Sequence, residues 1–338
     1  MNSKKRPDFG ISGLKFGQFV TAVSLAASCV VSAQEAYPTQ LIRFVVPYTA
    51  GGPADALARA IAQPLAKALN TTLVVDNRGG AGGTLGTGLL AKAPPDGYTI
   101  GLVTAGSMSI NPFLYGKLPY DPRKDFEFIS PVASYVNAVV CHPKVPANNM
   151  AELIRYAKAN PGEIRFGSGG VGTTAHLAME TVKHVSGAPI QHIAYRGAAQ
   201  AVTDLIGGTI SCMIDVLATT LPYVHSGKIK ALAVSGAKRS PHAPEIPTMA
   251  ESGLPGFEEA SGQLWMGLAA PAGTPKPIID KLNATVQQIL REDPTVRKAL
   301  EVQGFDPFPL SPVQFSQHLQ KDYESWGRIV KATGAKAE

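Results

Sequence analysis

Three times along this 338-residue chain a strand-like apolar run breaks into a glycine-rich turn and reopens as a helical pattern. The first run, Leu41-Ile42-Arg43-Phe44-Val45-Val46, leads into Pro47-Tyr48-Thr49-Ala50-Gly51-Gly52-Pro53-Ala54-Asp55. Leu57, Ile61, Leu65 and Leu69 follow, four apart on one helix face. The second turn, Asn77-Arg78-Gly79-Gly80-Ala81-Gly82-Gly83-Thr84, joins a strand over 72–75 to a short helix near 85–92. The third, Gly167-Ser168-Gly169-Gly170-Val171-Gly172-Thr173-Thr174-Ala175-His176, joins a strand over 164–167 to a helix over 174–185. Strands alternating with helices predict a mostly parallel sheet covered on both faces, a doubly wound α/β arrangement. Pro64 marks a kink or early stop in the first helix.

Further strands are predicted over 98–103, 137–141, 190–195, 210–215 and 229–235, and helices over 151–159, 199–206 and 217–225. Asn149 with Glu152 opens one helix in capping-box fashion, Asn160-Pro161-Gly162 stops it, and Gly207-Gly208 ends another. The C-terminal part reads as mainly helical. Thr274-Pro275 starts a helix with Ile278, Ile279, Leu282, Val286 and Ile289 on one face, and Ser311-Pro312-Val313-Gln314 starts another carrying Phe315, Leu319 and Trp326. The stretch 236–262, rich in Pro, Gly and polar residues, reads as a connection between domains, and 338 residues suffice for two cores.

Lys4, Lys5, Arg6 and Lys15 precede an apolar run of 13 residues, Phe19 to Val31, that ends in Val31-Ser32-Ala33. That pattern predicts a cleaved secretory signal over residues 1–33, too short to remain as an ordinary anchor. The lipoprotein alternative at Ala26-Ala27-Ser28-Cys29 lacks the leucine such signals place three residues before the cysteine. Residues 1–33 hold four of the 31 basic and one of the 25 acidic groups, so the remainder carries 27 against 24. No basic cluster is left that needs a nucleic-acid backbone. Cys141 and Cys212 remain for an oxidising compartment. Both sit in apolar strand-like runs, which favours buried free thiols, with a disulfide as the alternative.

A glycine turn that opens a helix exposes backbone N–H groups at a terminus suited to an anion. The first turn reads equally as such a site or as a tight connection with Asp55 near the helix cap. In the third, Gly167, Gly169 and Gly172 satisfy G-x-G-x-x-G. The next strand, however, ends Tyr195-Arg196-Gly197 rather than in the acid a nicotinamide nucleotide requires. Backbone amides with the hydroxyls of Ser168, Thr173 and Thr174 suit the carboxylate of an organic acid, and two such turns facing across a cleft would bracket a small anion. The second turn lacks the Gly-Lys-Ser/Thr ending of a phosphate loop and reads as a structural turn in which Asn77 and Arg78 tie loops together. No H-E-x-x-H, G-x-S-x-G or CxxC motif occurs in the mature chain. His176 as a base for Ser168 is the one hydrolase reading, against a local hydrogen-bonding role. Asp215 ends an apolar strand, where it would face a ligand or cap the next helix.

Taken in order, Val46-Pro47-Tyr48, Gly51-Gly52-Pro53-Ala54-Asp55, Val75-Asp76-Asn77-Arg78-Gly79-Gly80, Pro95-Asp96-Gly97-Tyr98, Asn111-Pro112, Gly167-Ser168, Gly172-Thr173, His176-Leu177, Tyr195-Arg196-Gly197 and Ala270-Pro271-Ala272-Gly273-Thr274-Pro275 form a pattern. It resembles the solute-binding proteins of tripartite tricarboxylate transporters, the Bug family, over residues 37–334. The resemblance implies a type II periplasmic-binding-protein fold: two doubly wound α/β domains with a hinge and a ligand cleft between them. Residues 34–131 and 257–338 would form domain 1, and residues 132–256 domain 2.

It implies further that Tyr48, Gly51, Gly52, Asp55, Ser107, Asn111, Ser168, Gly172, Thr173, Thr174 and Asp215 bind a small organic carboxylate. No catalysis, metal or cofactor is expected. The expected partners are the permease subunits of such a transporter or, alternatively, a periplasmic sensor domain, with the chain itself a monomer that binds no nucleic acid. Tyr48 and Ser107-Met108-Ser109 depart from the usual family residues and alter the cleft lining.

Overall fold

The computed structural model describes residues 1–3, 5, 7, 8, 37–257 and 264–337. The expected signal sequence and Cys29 lie outside the described residues, apart from the first few positions. The chain divides into two units, Met1–Thr39 and Gln40–Glu338. The first has no helix or strand among its described residues and carries a cis Tyr37–Pro38 peptide. No described helix is long and apolar enough to cross a membrane.

Within Gln40–Glu338 two sheets form. The first comprises β1 (Ile42–Val46), β2 (Leu73–Asn77), β3 (Thr99–Thr104) and β4 (Phe126–Tyr135). The second comprises β5 (Asn137–Cys141), β6 (Arg165–Ser168), β7 (Gln191–Ala194), β8 (Cys212–Val216) and β9 (Lys230–Val234). The chain then returns to the first sheet as β10 (Leu264–Pro271) and β11 (Asp306–Pro307). Strand orders are β11-β4-β10-β3-β1-β2 and β7-β6-β8-β5-β9.

The expected parallel pairing holds where glycine turns feed helices: β1 with β2 and β3, and β6 with β7 and β8. The other half of each sheet is antiparallel, because β10 and β5 enter from the opposite lobe. Neither β4 nor β10 was legible as a strand. β10 is buried along its whole length and shows no alternation, and β4 contains Pro131. That proline is accommodated at a bulge, where Met266 faces Ala133 but Gly267 faces Pro131. β4 therefore continues to Tyr135, and the passage to the second sheet comes at Val136.

Helix α1 (Pro53–Leu69) begins at Gly52 with Pro53 in its first turn, buries Leu57, Ile61 and Leu65 completely, and ends on Asn70 in the left-handed region. Each of those side chains contributes about 1.5–3 kcal/mol on removal from water, and the helix runs on through Pro64. Helix α2 (Thr84–Ala91) follows the second turn, and a short α3 (Asn111–Leu114) follows β3. In the second lobe α4 (Met150–Ala159), α5 (Thr174–Ser186), α6 (Ala198–Ile206) and α7 (Leu217–His225) cover both faces of the sheet. Alternate β5 residues separate its two cores: Val139 and Cys141 pack with Phe166 and Met179, while Ala138 and Val140 pack with Ala201 and Leu205. Helices α8 (Lys276–Glu292), α9 (Pro294–Val302) and α10 (Pro312–Thr333) return to the first lobe, where Trp265 on β10 donates to Asp322 on α10 at 2.9 Å.

Cys141 and Cys212 form a disulfide, which overturns the preference for free thiols. The cause is register: antiparallel pairing of β5 and β8 sets the two residues directly opposite each other, a fact that their separation of 71 positions does not disclose.

Candidate ligand cleft

The C-terminal ends of β1, β2, β6, β7 and β8 all open on one cavity of about 470 Å³. Parallel strands commonly present ligand sites there, because loops diverge and helix N-termini converge at that end. Here the starts of α1, α5 and α6 all line the cavity, at Gly52, Thr173 and Gly197. The first amides of a helix have no partner one turn back. Accordingly Ala54, Thr174, Ala175 and Ala198, all buried and lining the cavity, donate no backbone hydrogen bond to the described residues. Four tyrosines, Tyr48, Tyr115, Tyr135 and Tyr195, supply aromatic walls. Apart from tyrosines the only ionisable lining groups among the described residues are Asp215 and Arg196.

The first turn is held by charge. Asp55 accepts from the Gly51 amide at 3.0 Å and from Arg59 Nε at 3.0 Å, while Asn77 Nδ2 donates to the Tyr48 carbonyl at 3.1 Å. Burial raises the Asp55 carboxyl, but the hydrogen bonds from Arg59 and Gly51 outweigh it and leave the group below the ordinary range. The Tyr48 hydroxyl lies 2.9 Å from Thr104 Oγ1, and burial pushes its pKa up to about 12, so it remains a neutral donor.

The second turn is more than the structural connection expected: Gly79 to Gly83 line the cavity. Asn77 ties it to the first turn as anticipated, and Arg78 pairs with Asp76 at 2.9 Å. Gly82 has φ +59° and abuts the third turn so closely that a Cβ there would run into the Val171 carbonyl. Gly172, at φ +86°, lies against Asn111 Oδ1 in the same way. Tyr115 donates to the Val171 carbonyl at 3.3 Å, and the Tyr135 and Thr174 hydroxyls meet at 3.3 Å. The two lobes are thus closed over the cavity.

The third turn is held by neutral groups. Thr173 Oγ1 caps α5 by accepting from His176 N at 3.2 Å and donates to the Gly170 carbonyl at 2.8 Å. Ser168 Oγ lies 2.7 Å from His192 Nε2, not beside His176 as the hydrolase reading required. His176 Nδ1 instead accepts from the Gly172 amide at 3.4 Å, a local role. Ser168 is 1% exposed and does not reach the cavity, so its hydroxyl cannot meet a substrate there. The His176 and His192 rings lie 4.7 Å apart, and burial lowers both to about 4, which keeps them neutral near pH 7. With Glu180 they bring one potential metal-ligating atom each within 4.8 Å, but Lys183 already holds both Glu180 oxygens at 3.0 Å.

Asp215, next to last in β8, accepts from Thr219 Oγ1 at 2.7 Å in the first turn of α7. Burial raises its pKa to about 6 in spite of that hydrogen bond.

Of the residues expected at the site, Tyr48, Gly52, Thr173, Thr174 and Asp215 line the cavity. Gly51, Asp55, Ser107, Asn111, Ser168 and Gly172 do not line it. Ser107 is fully buried and exchanges hydrogen bonds with Thr104, and Asn111, also fully buried, donates to the Gly82 carbonyl and to Thr84 Oγ1 at 3.1 Å each. Sequence reasoning missed Arg196, Tyr195, Tyr115 and Tyr135. The first two had a signal, since Tyr195-Arg196-Gly197 repeats the strand–turn–helix pattern; the last two had none.

Two α/β lobes, crossed by the chain twice and closed over a cavity ringed by helix N-termini, define a solute-binding receptor. The sequence matches the model of the tripartite tricarboxylate transporter family receptor, TctC, over residues 57–335. It is 35% identical to Protein BugT of Bordetella pertussis over 321 residues, 95% of this chain and 96% of that one. The structure aligns with periplasmic binding protein BugD at TM-score 0.84 and 37% identity, over 89% of this chain and all of the other. It aligns with Rpa4515 of R. palustris, solved with adipate, at TM-score 0.85 and 35% identity, again over 89% of this chain and all of the other. The chain belongs to the TctC/Bug family of periplasmic solute-binding receptors and has their type II binding-protein fold.

Proposed function

We propose that the chain is exported to the periplasm, captures a small organic carboxylate between its lobes as a monomer, and delivers it to the membrane permease subunits of a tripartite tricarboxylate-type transporter. In this reading residues 1–33 are the cleaved signal, and the lobes follow the expected division, 34–131 with 257–338 against 132–256, shifted so that β4 stays in the first lobe to Tyr135 and Phe257 falls in the second. The first crossing, at Val136, forms part of the hinge, whereas the chain stays with the second lobe after Ser235, since Met249, Leu254 and Phe257 pack in its core. That crossing is tied to the end of β9, since Asn137 N donates to Ser235 Oγ at 2.9 Å and Ser235 N to the Asn137 carbonyl at 2.8 Å. A ligand touching both lobes favours the closed state by that contact alone.

The observation that carries the proposal is the set of unpartnered amides at Ala54, Thr174, Ala175 and Ala198, from three helix N-termini facing one cavity. Such termini carry partial positive charge and suit a carboxylate without any metal or cofactor. Adipate in the Rpa4515 structure supports the same ligand class. Tyr48, Gly52, Thr173, Thr174 and Asp215 then serve as contacts, while Gly51, Asp55, Ser107, Asn111, Ser168 and Gly172 shape the turns that present them. Thermal unfolding against a panel of mono-, di- and tricarboxylates tests the capture step. A ligand at 100 times its dissociation constant adds about 2.7 kcal/mol, and a panel in which no acid raises Tm refutes it. Uptake of the ligand in a strain lacking the permease genes tests delivery, and undiminished uptake rules it out.

A further inference from the structure

Arg196 is the only basic side chain among the described residues that line the cavity. Its surroundings differ from those of the other arginines near the cleft. Arg43 and Arg78 are both paired with Asp76, and Arg59 is paired with Asp55. The Arg196 guanidinium makes no hydrogen bond or ion pair with any described residue, and Asp215, the one acid in the lining, is not influenced by it. Strand order explains why these two opposite charges stay apart. Arg196 follows β7, the third turn follows β6, and Asp215 lies at the C-terminal end of β8, one residue before its last, and the three strands are neighbours in that order. At about 4.8 Å per strand, the backbones that carry the two charges are roughly 10 Å apart, one on each side of the third turn.

The cavity is therefore directional. An acid whose first carboxylate sits on the amides of α1 and α5 meets an unpaired cation if it extends toward β7. If it extends toward β8 it meets a buried carboxyl. A second negative charge is favoured in the first direction and opposed in the second.

We propose that Arg196 binds a second anionic group on the ligand, and that the receptor thereby selects dicarboxylates over monocarboxylates of equal chain length. The inference rests on the carboxylate reading above and adds to it the ligand's charge and the residue that reads it. Guanidinium and carboxylate match in a two-pronged geometry that a single ammonium does not reproduce.

The test is a calorimetric comparison of matched pairs, succinate with butyrate, glutarate with valerate and adipate with hexanoate, on the wild-type chain, Arg196→Gln and Arg196→Lys. For the best-fitting pair the wild type is expected to prefer the dicarboxylate by about 10- to 100-fold, the usual effect of one charge-assisted pair. Arg196→Gln should collapse that ratio to near unity, and Arg196→Lys should restore it in part. Arg196 is exposed and unpaired, so an unliganded Tm close to wild type will show that the variants are folded. A ratio unchanged by Arg196→Gln, or absent from the wild type, overturns the inference while leaving carboxylate capture standing. If no acid of either series binds the wild type, the inference falls together with the reading it rests on.

Discussion

The turn after β1 and the turn after β6 do the same geometric job by different chemistry. Each ends a parallel strand, opens a helix and aims unpartnered amides at the cavity. The first is fixed by a carboxylate: Asp55 holds the Gly51 amide and Arg59, and Asn77 holds Tyr48. The third is fixed by uncharged partners, Ser168 with His192, Gly172 with His176 and Thr173 with Gly170, and by direct contact with Gly82 and Asn111 across the cleft. A charged network is insensitive to mild acid because its carboxyl is already depressed. A neutral one depends on two imidazoles staying unprotonated, and on closure of the lobes.

The sharpest way to break this comparison is steric. Gly172→Ala forces a Cβ into Asn111 at a positive φ, and the overpacking and left-handed backbone together are expected to cost about 3 kcal/mol, or roughly 100-fold in ligand affinity. Gly51→Ala, at φ +81° but with only Ala199 Cβ at 4.0 Å, should cost about 1–2 kcal/mol from the backbone alone. Equal losses in chemical denaturation and ligand titration would show that close approach does not distinguish the turns.

Removing the polar anchors comes next. Asp55→Ala deletes a buried carboxylate that accepts an amide and half-exposed Arg59, and should destabilise by about 1.5–2 kcal/mol once solvent screening of Arg59 is allowed for. Ser168→Ala removes neutral hydrogen bonds only, for about 1 kcal/mol. The reverse ranking in urea melts would mean that His192 contributes more than its uncharged state implies.

Acid should give the smallest but most selective effect. His176 and His192 have folded pKa values near 4, below the unfolded 6.5, so their contribution is complete above pH 6.5 and is lost as pH falls toward 4. Asp215 and Asp322 have the opposite sign: burial raises both to about 6, so the folded state is favoured below pH 3.8 and loses that stabilisation as pH rises through 6. Asp55, with its lowered pKa, adds no pH dependence between pH 4 and 6.5, where its stabilisation is already complete. The wild-type Tm should therefore change little across this window, whereas Asp215→Asn should lose Tm on acidification because the two histidines are then opposed by Asp322 alone. Amide exchange should accelerate in the third turn and not in the first. Simultaneous loss of protection in both would abolish the distinction.

What was legible in the sequence was local. The glycine turns, the Pro53 start of α1, the Thr173-led start of α5 and the Ser311 capping box on α10 are written in the dihedral freedom and side-chain reach of a few consecutive residues. Residues 57–335 also carry the family pattern, and with it the fold class and the kind of ligand expected. Tyr48, Gly52, Thr173 and Thr174 could be placed at the cavity because they sit in those turns.

Other features depended on partners far away in the chain. β4 and β10 exist as strands because they pair with each other along their length, and neither has an alternating pattern of its own. Register alone joined Cys141 to Cys212, and the parallel pairing of β6 and β7 alone chose His192 over His176 for Ser168. Tyr115 and Tyr135 became cavity walls only when the lobes met, and Arg196 became the one unpaired cation of the lining only when every other arginine near the cleft had found its acid. Turns and helix ends are decided by interactions over three or four residues. Pairing, burial and the charge of a cavity are decided by which surfaces meet, and only the tertiary structure of this chain settles that.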